Sequence, residues 1–163
     1  ARGDREGAAN SYRMVLSAQP QNINALQGLV SLLLDAKRPE SAMGAVKTAL
    51  KKATSDAEAT PIKLLLAQIY ITQQRNTEAL AIYDALIGAS KEDFRPFLAK
   101  ALVLKQMGNL TEARTLLTTA TNLAPAEYKD QINQLAQATQ PPKAAIAPQP
   151  NQVPIKPQPQ VVK

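Results

Sequence analysis

The side chains of this sequence that could do chemistry are carboxylates, amines, hydroxyls and amides. Cysteine, histidine and tryptophan are absent, which removes thiol nucleophiles, disulfides, imidazole bases and the usual zinc, copper and haem ligands together. Of the acids, the adjacent pair Glu92 and Asp93 comes nearest to an acid–base arrangement. They open a predicted helix, however, where carboxylates complement the dipole of the N-terminus. No nucleophile is paired with a base, and no glycine-rich loop could cradle a phosphate. Asn109-Leu110-Thr111 spells a glycosylation sequon, but behind Gly108 it reads as a turn followed by a helix cap. The sequence therefore predicts no catalytic residue, no cofactor and no metal centre.

Charge is the next candidate for chemistry. The net charge of +6 is uneven: residues 1–52 hold eight basic and four acidic side chains, residues 53–139 eight and nine, and residues 140–163 three and none. A neutral middle argues against nucleic acid, and Lys47, Lys51 and Lys52 fall near a predicted helix end, where cations complement the dipole. The chain is 45% hydrophobic and only 4% aromatic, which calls for a core of Ala, Leu, Ile and Val between closely packed helices. Its densest apolar run, Leu29 to Leu34, is far short of the roughly 20 residues of a membrane-spanning helix.

The elements that must position these side chains recur at a fixed period. Aligning Ala8, Ala42, Ala79 and Ala113 gives intervals of 34, 37 and 34 residues. Four residues after each alanine stand Tyr12, Val46, Tyr83 and Leu117, and seven after it Val15, Ala49, Leu86 and Ala120, one stripe of a helix. Pro20 and Pro125 close two of these helices. Before each of the last three alanines runs another helical segment, Ile23 to Asp35, Pro61 to Thr72 and Phe94 to Met107, giving two helices per period. Ser55 to Glu58 and Ser90 to Asp93 read as capping boxes, with Pro61 and Pro96 in first turns. The three extra residues of the long interval are expected in a loop around Ala53 to Asp56.

This array resembles the tetratricopeptide repeat family over residues 3 to about 139. The resemblance implies an all-α fold, a right-handed superhelix of antiparallel helix pairs with small residues at the crossings. Those crossings fall on Ala8, Ala42, Ala79 and Ala113, and in the first helices on Val30, Ala67 and Ala101. The family tryptophan is replaced by Leu26, Lys63 and Phe97, and its terminal proline is missing at Thr54 and Lys91. The reading is one half repeat, three full repeats and a capping helix, Ala126 to Thr139, whose stripe is Tyr128, Ile132 and Leu135. Residues 1–139 form the repeat domain. Residues 140–163, with seven prolines, five glutamines and no acid, read as a disordered tail that is a spacer or a ligand; Pro154-Ile155-Lys156-Pro157 fits PxxP.

The resemblance also implies a binding function: a partner segment held in the concave groove lined by the first helices. Its groove positions fall on Asn24, Gln27 and Ser31, then Leu64, Leu65 and Gln68, then Arg95, Leu98, Leu102 and Lys105. Amides suit an extended backbone, leucines offer apolar pockets, and Arg95 and Lys105 favour an acidic group, so a protein or peptide with apolar and acidic features is expected. The carboxylate-gripping subtype is not matched, because of its positions Gln27, Ser31, Leu65, Arg95 and Ala99 only Arg95 fits. The rival reading is an RNA-binding helical repeat. The chain begins Ala1-Arg2-Gly3, so an upstream part is expected. With Arg2, Arg5 and Arg13 nearby, a membrane tether there is a further expectation. Segments Ser11-Tyr12-Arg13 to Pro20 and Ala25 to Leu29 are similar to anchored tetratricopeptide proteins of cyanobacteria and chloroplasts that assist complex assembly. That would set the protein at a thylakoid or plasma membrane. Apolar surface around Tyr12 and Val15 predicts weak self-association.

Overall fold

The structure, a computed structural model, describes residues 2–139. The expected tail of residues 140–163 lies outside the described residues. Among those described there are eight α-helices and no strand: α1 (Arg2–Ala18), α2 (Ile23–Asp35), α3 (Pro39–Lys52), α4 (Asp56–Thr72), α5 (Asn76–Ala89), α6 (Phe94–Gln106), α7 (Leu110–Leu123) and α8 (Ala126–Gln137). Each helix packs on its neighbour in sequence, and α2 also touches α4. Such an array is held by nearest-neighbour interfaces rather than by one central core.

The alignment of small residues explains the packing. Ala42, Ala79 and Ala113 are each 0% exposed, as are Ala67 and Ala101 on the first helices, and Val30 is buried at the equivalent place. A methyl group there lets two helices of a pair approach closely, and a larger side chain would have to displace backbone. Four and seven residues on, Val46 with Ala49, Tyr83 with Leu86, and Leu117 with Ala120 complete the buried stripe. The first copy departs from the alignment. In α1 the residues that pack on α2 are Ala9, Tyr12 and Leu16, while Ala8 is only half-buried and Val15 is 40% exposed. The side facing away from α2 meets no described helix, so the stripe turns by one residue toward its one neighbour.

Helix ends are closed locally. Asn22 caps α2, its Oδ1 accepting the Ala25 N–H at 3.0 Å, and Asn109 Oδ1 accepts the Glu112 N–H at the start of α7. Within each pair the turn is a Schellman motif. The N–H groups of Lys37 and Arg38 donate to the carbonyls of Leu34 and Leu33, those of Gln74 and Arg75 to Ile71 and Tyr70, and those of Gly108 and Asn109 to Lys105 and Leu104. The C′ residue is left-handed in all three, with φ of 58° at Lys37, 60° at Gln74 and 84° at Gly108. Only one of the three is the glycine that this conformation favours.

Three sequence expectations are corrected. The extra residues of the 37-residue interval lie in a helix, not in a loop: α4 has 17 residues where α6 has 13, and the loop before it, Ala53 to Ser55, is the shorter of the two. The Thr54-Ser55 start explains this, since Glu58 Oε2 accepts from the Thr54 N–H (2.8 Å) and Ser55 Oγ from the Glu58 N–H (3.3 Å), fixing helix onset five residues before Pro61. Pro61 therefore sits inside α4 rather than in its first turn, and offers no N–H to the Ala57 carbonyl. The box expected at Ser90 to Asp93 does not form. Ser90 ends α5, and Asp93 caps α6 by accepting the Arg95 N–H at 3.0 Å.

Candidate functional site

The apolar packing divides into three clusters along the array, and the middle one floors a cleft. Ala67 of α4, Ala79 and Tyr83 of α5 and Val103 of α6 form its buried heart. Tyr83 of α5 packs with Ala67 of α4 and Val103 of α6, and the cleft lined by those two first helices opens above it. The opening has a volume of about 480 Å³, which is in the range that accommodates a small ligand or a few side chains of a peptide. Its walls are Leu64, Leu65, Ile71, Leu102 and Val103, and its rim carries the amides of Gln27, Gln68 and Gln106 and the guanidinium of Arg95.

Of the ten residues expected in a groove, this cleft gathers Gln27, Leu64, Leu65, Gln68, Arg95 and Leu102. Leu65 is buried and serves the core as much as the cleft, whereas Leu102 is 42% exposed and open to a ligand. Asn24 and Ser31 are exposed on α2 but outside the cleft. Leu98 turns to the other side, packing with Phe94, Phe97 and Leu116 around Ala101 and Leu117. Lys105 is half-buried in the last turn of α6, beside the carbonyl end of the helix, and does not line the cleft.

Arg95 is not the free cation that the sequence suggests. Its Nε donates to Asp93 Oδ1 at 2.9 Å and its Nη2 to Asp93 Oδ2 at 2.7 Å, a two-toothed pair on the first turn of its own helix. The Arg95 guanidinium holds the Asp93 carboxyl below the usual carboxylate range, and Asp93 pushes Arg95 further up. Charge in the cleft is thus largely returned by its neighbour. Lys100 plays a structural part behind the cleft: its Nζ reaches Asp84 of α5 at 2.7 Å and Glu112 of α7 at 3.3 Å, tying three helices, and the two carboxylates raise its pKa.

Tyr83 is the cleft residue that the sequence reading left in the core. It is 3% exposed, and burial raises its phenol to about 12. The signal available in the sequence was chemical: at the matching places α3 and α7 carry Val46 and Leu117, and only Tyr83 adds a hydroxyl beside the cleft. Among the described residues no group of three or more acids could hold a metal ion, and no helix is long and apolar enough to cross a membrane.

An all-helical repeat protein with a lateral cleft is the class that these features define. Family models described as tetratricopeptide repeat match residues 1–60, 60–93 and 94–127, and the chain belongs to that family. Its members are typically non-enzymatic, and the chain is a protein-interaction scaffold. Among curated proteins it is 28% identical over 72 residues to the chloroplastic protein SLOW GREEN 1 of Arabidopsis thaliana, a match covering 44% of this chain and 23% of that one. The chain thus spans about a quarter of the length of this relative. Two crystal structures of MamA share the fold, with TM-scores of 0.55 and 0.54 at 23% identity, covering 84% and 85% of this chain and 79% and 74% of theirs. A third, YrrB, described as a TPR protein with an unusual peptide-binding site, gives 0.51 at 15% identity, covering 84% and 68%.

Proposed function

We propose that this scaffold holds an extended segment of a partner protein in the cleft between α4 and α6. The observation that carries the reading is the cleft itself, with leucine and isoleucine walls, a rim of three glutamine amides, and Leu102 left exposed at its mouth. Apolar side chains of the partner would fill the opening while the amides hold its main chain. The test is to select peptides from a random library on the folded chain and then to substitute Leu102→Glu, with Val15→Glu on α1 as a control. Loss of binding at Leu102 alone, with both circular dichroism spectra unchanged, is the expected result. Equal binding by both variants would remove the cleft from the account.

The reading extends to assembly of a membrane-bound complex, for which the support is the partial match to a chloroplastic protein and the similarity to anchored members of the family. Arg5, Arg13 and Arg38, with Glu6 among them, line a cavity of about 380 Å³ beside α1, a net basic surface that suits an anionic membrane near this end. Fractionation of the full-length protein with washed membranes is expected, and its recovery only in the soluble fraction would contradict this part. Weak self-association finds support in Met14, 73% exposed next to Val15 on the open side of α1. Sedimentation velocity at rising concentration tests it, and a strictly monomeric profile throughout would be the contrary result.

A further inference from the structure

Two groups at the cleft, one without a partner and one already paired, set what it can take. The first is the Tyr83 hydroxyl. The Tyr83 ring is buried but its oxygen is not sealed from solvent, so the O–H is open toward the cleft. Here no described residue hydrogen-bonds to it, although the ring is fixed among Leu64, Ala67, Ile71, Ala99 and Val103 and the residue lines the cleft floor. The second is the charge at the rim. Among the described residues Arg95 is the one charged side chain lining the cleft, and Asp93 holds it through both carboxylate oxygens, leaving part of the guanidinium as donors with little net charge.

We infer, on the basis of the function proposed above, that the cleft recognises an extended segment of apolar, uncharged residues whose main-chain carbonyl accepts a hydrogen bond from Tyr83 Oη, and that Asp93 excludes acidic ligands by holding Arg95. The chemistry is consistent from floor to rim. A carbonyl meets the buried phenol, aliphatic side chains meet Leu64, Ile71 and Leu102, and the remaining main chain meets Gln68 and Gln106. A carboxylate brought to the same place would meet a guanidinium already paired and the negative charge of Asp93 beside it, so it would lose hydration without gaining a free cation.

The experiment uses a peptide library displayed on phage and selected in parallel on wild type and Asp93→Asn, a variant whose side chain still caps a helix. The best wild-type peptide is then titrated against wild type and Tyr83→Phe. Wild type is expected to select apolar sequences without acidic enrichment, and Asp93→Asn to select peptides that gain Asp, Glu or a free C-terminal carboxylate. Tyr83→Phe should bind the wild-type peptide about five- to tenfold more weakly, the effect of about one hydrogen bond. Its melting temperature should be equal or higher, because no bond within the protein is lost. Acidic peptides selected by wild type, or Tyr83→Phe binding as tightly as wild type, would overturn the inference while leaving the cleft as the binding site. Selected peptides indifferent to Leu102→Glu, or none selected at all, would instead overturn the cleft reading and this inference with it.

Discussion

The three Schellman turns make a prediction whose sign changes from one repeat to the next. Gln74 holds φ at 60° with a β-carbon, where Gly108 holds 84° without one. The left-handed conformation costs an ordinary residue about 1–2 kcal/mol. Glycine removes that cost but gives up about 0.4–1 kcal/mol through the greater freedom of its unfolded chain. Gln74→Gly should therefore stabilise by about 0.5–1 kcal/mol. The Gln74 side chain is exposed and makes no side-chain hydrogen bond, so little else changes. Lys37→Gly should act alike, less a few tenths of a kcal/mol for the cation lost from the C-terminal end of α2. Gly108→Ala should reverse the sign and cost about 1 kcal/mol. For a domain of this size the combined Gln74→Gly, Lys37→Gly variant should melt roughly 5 °C higher. Urea unfolding gives the global value, and amide exchange of the Arg75 N–H shows whether the gain is local to its turn. Gln74→Ala is the control, since it keeps the β-carbon. If Gln74→Gly were no more stable than Gln74→Ala, or Gly108→Ala were harmless, the left-handed geometry would be wrong.

Other perturbations follow from the same packing. A β-carbon at Gly28 would overlap the Tyr12 ring, so Gly28→Ala should cost about 1–2 kcal/mol in urea unfolding, and much less in a Tyr12→Ala background. Folding favours the neutral phenol of Tyr83, raised from 10.0 to about 12. Its contribution is therefore complete below about pH 10 and is lost as pH rises through about 12. Tyr83→Phe should lack this alkaline loss and also the latest-titrating phenolate absorbance. Removing Lys100, mostly covered between Asp84 and Glu112, by Lys100→Ala should lower stability by about 1 kcal/mol, with the loss shrinking in high salt.

Much of the fold is readable in the sequence because repeats print their contacts several times. Ala42, Ala79 and Ala113 mark equivalent crossings, and one misplaced alanine would have broken the series. Where a copy is unique the sequence misleads. α1 has a described neighbour on one side only, so Ala9 and Leu16 replace Ala8 and Val15, a choice made by packing that no periodicity reveals. The start of α4 was legible in the Ser55–Glu58 box, whose bond forms, but Pro61, a residue that usually marks a first turn, set the expected segment too late. The cleft was partly legible. The first-helix positions Gln27, Leu64 and Leu102 line the cleft, whereas Tyr83, which also lines it, comes from a second helix. The Asp93–Arg95 pair needed coordinates, since adjacent acids and bases at a helix start do not declare which of them bond.

The claim on which the rest depends is that a partner's chain lies between α4 and α6. The most direct test is photo-crosslinking of the best selected peptide, carrying a benzophenone at its central apolar residue, followed by mass-spectrometric mapping of the adduct on the wild-type chain. The account predicts attachment to the cleft residues Leu64, Gln68 or Leu102, abolished by an excess of unlabelled peptide. Competed attachment confined to α1 or to the outer faces of α3 and α7 would contradict it.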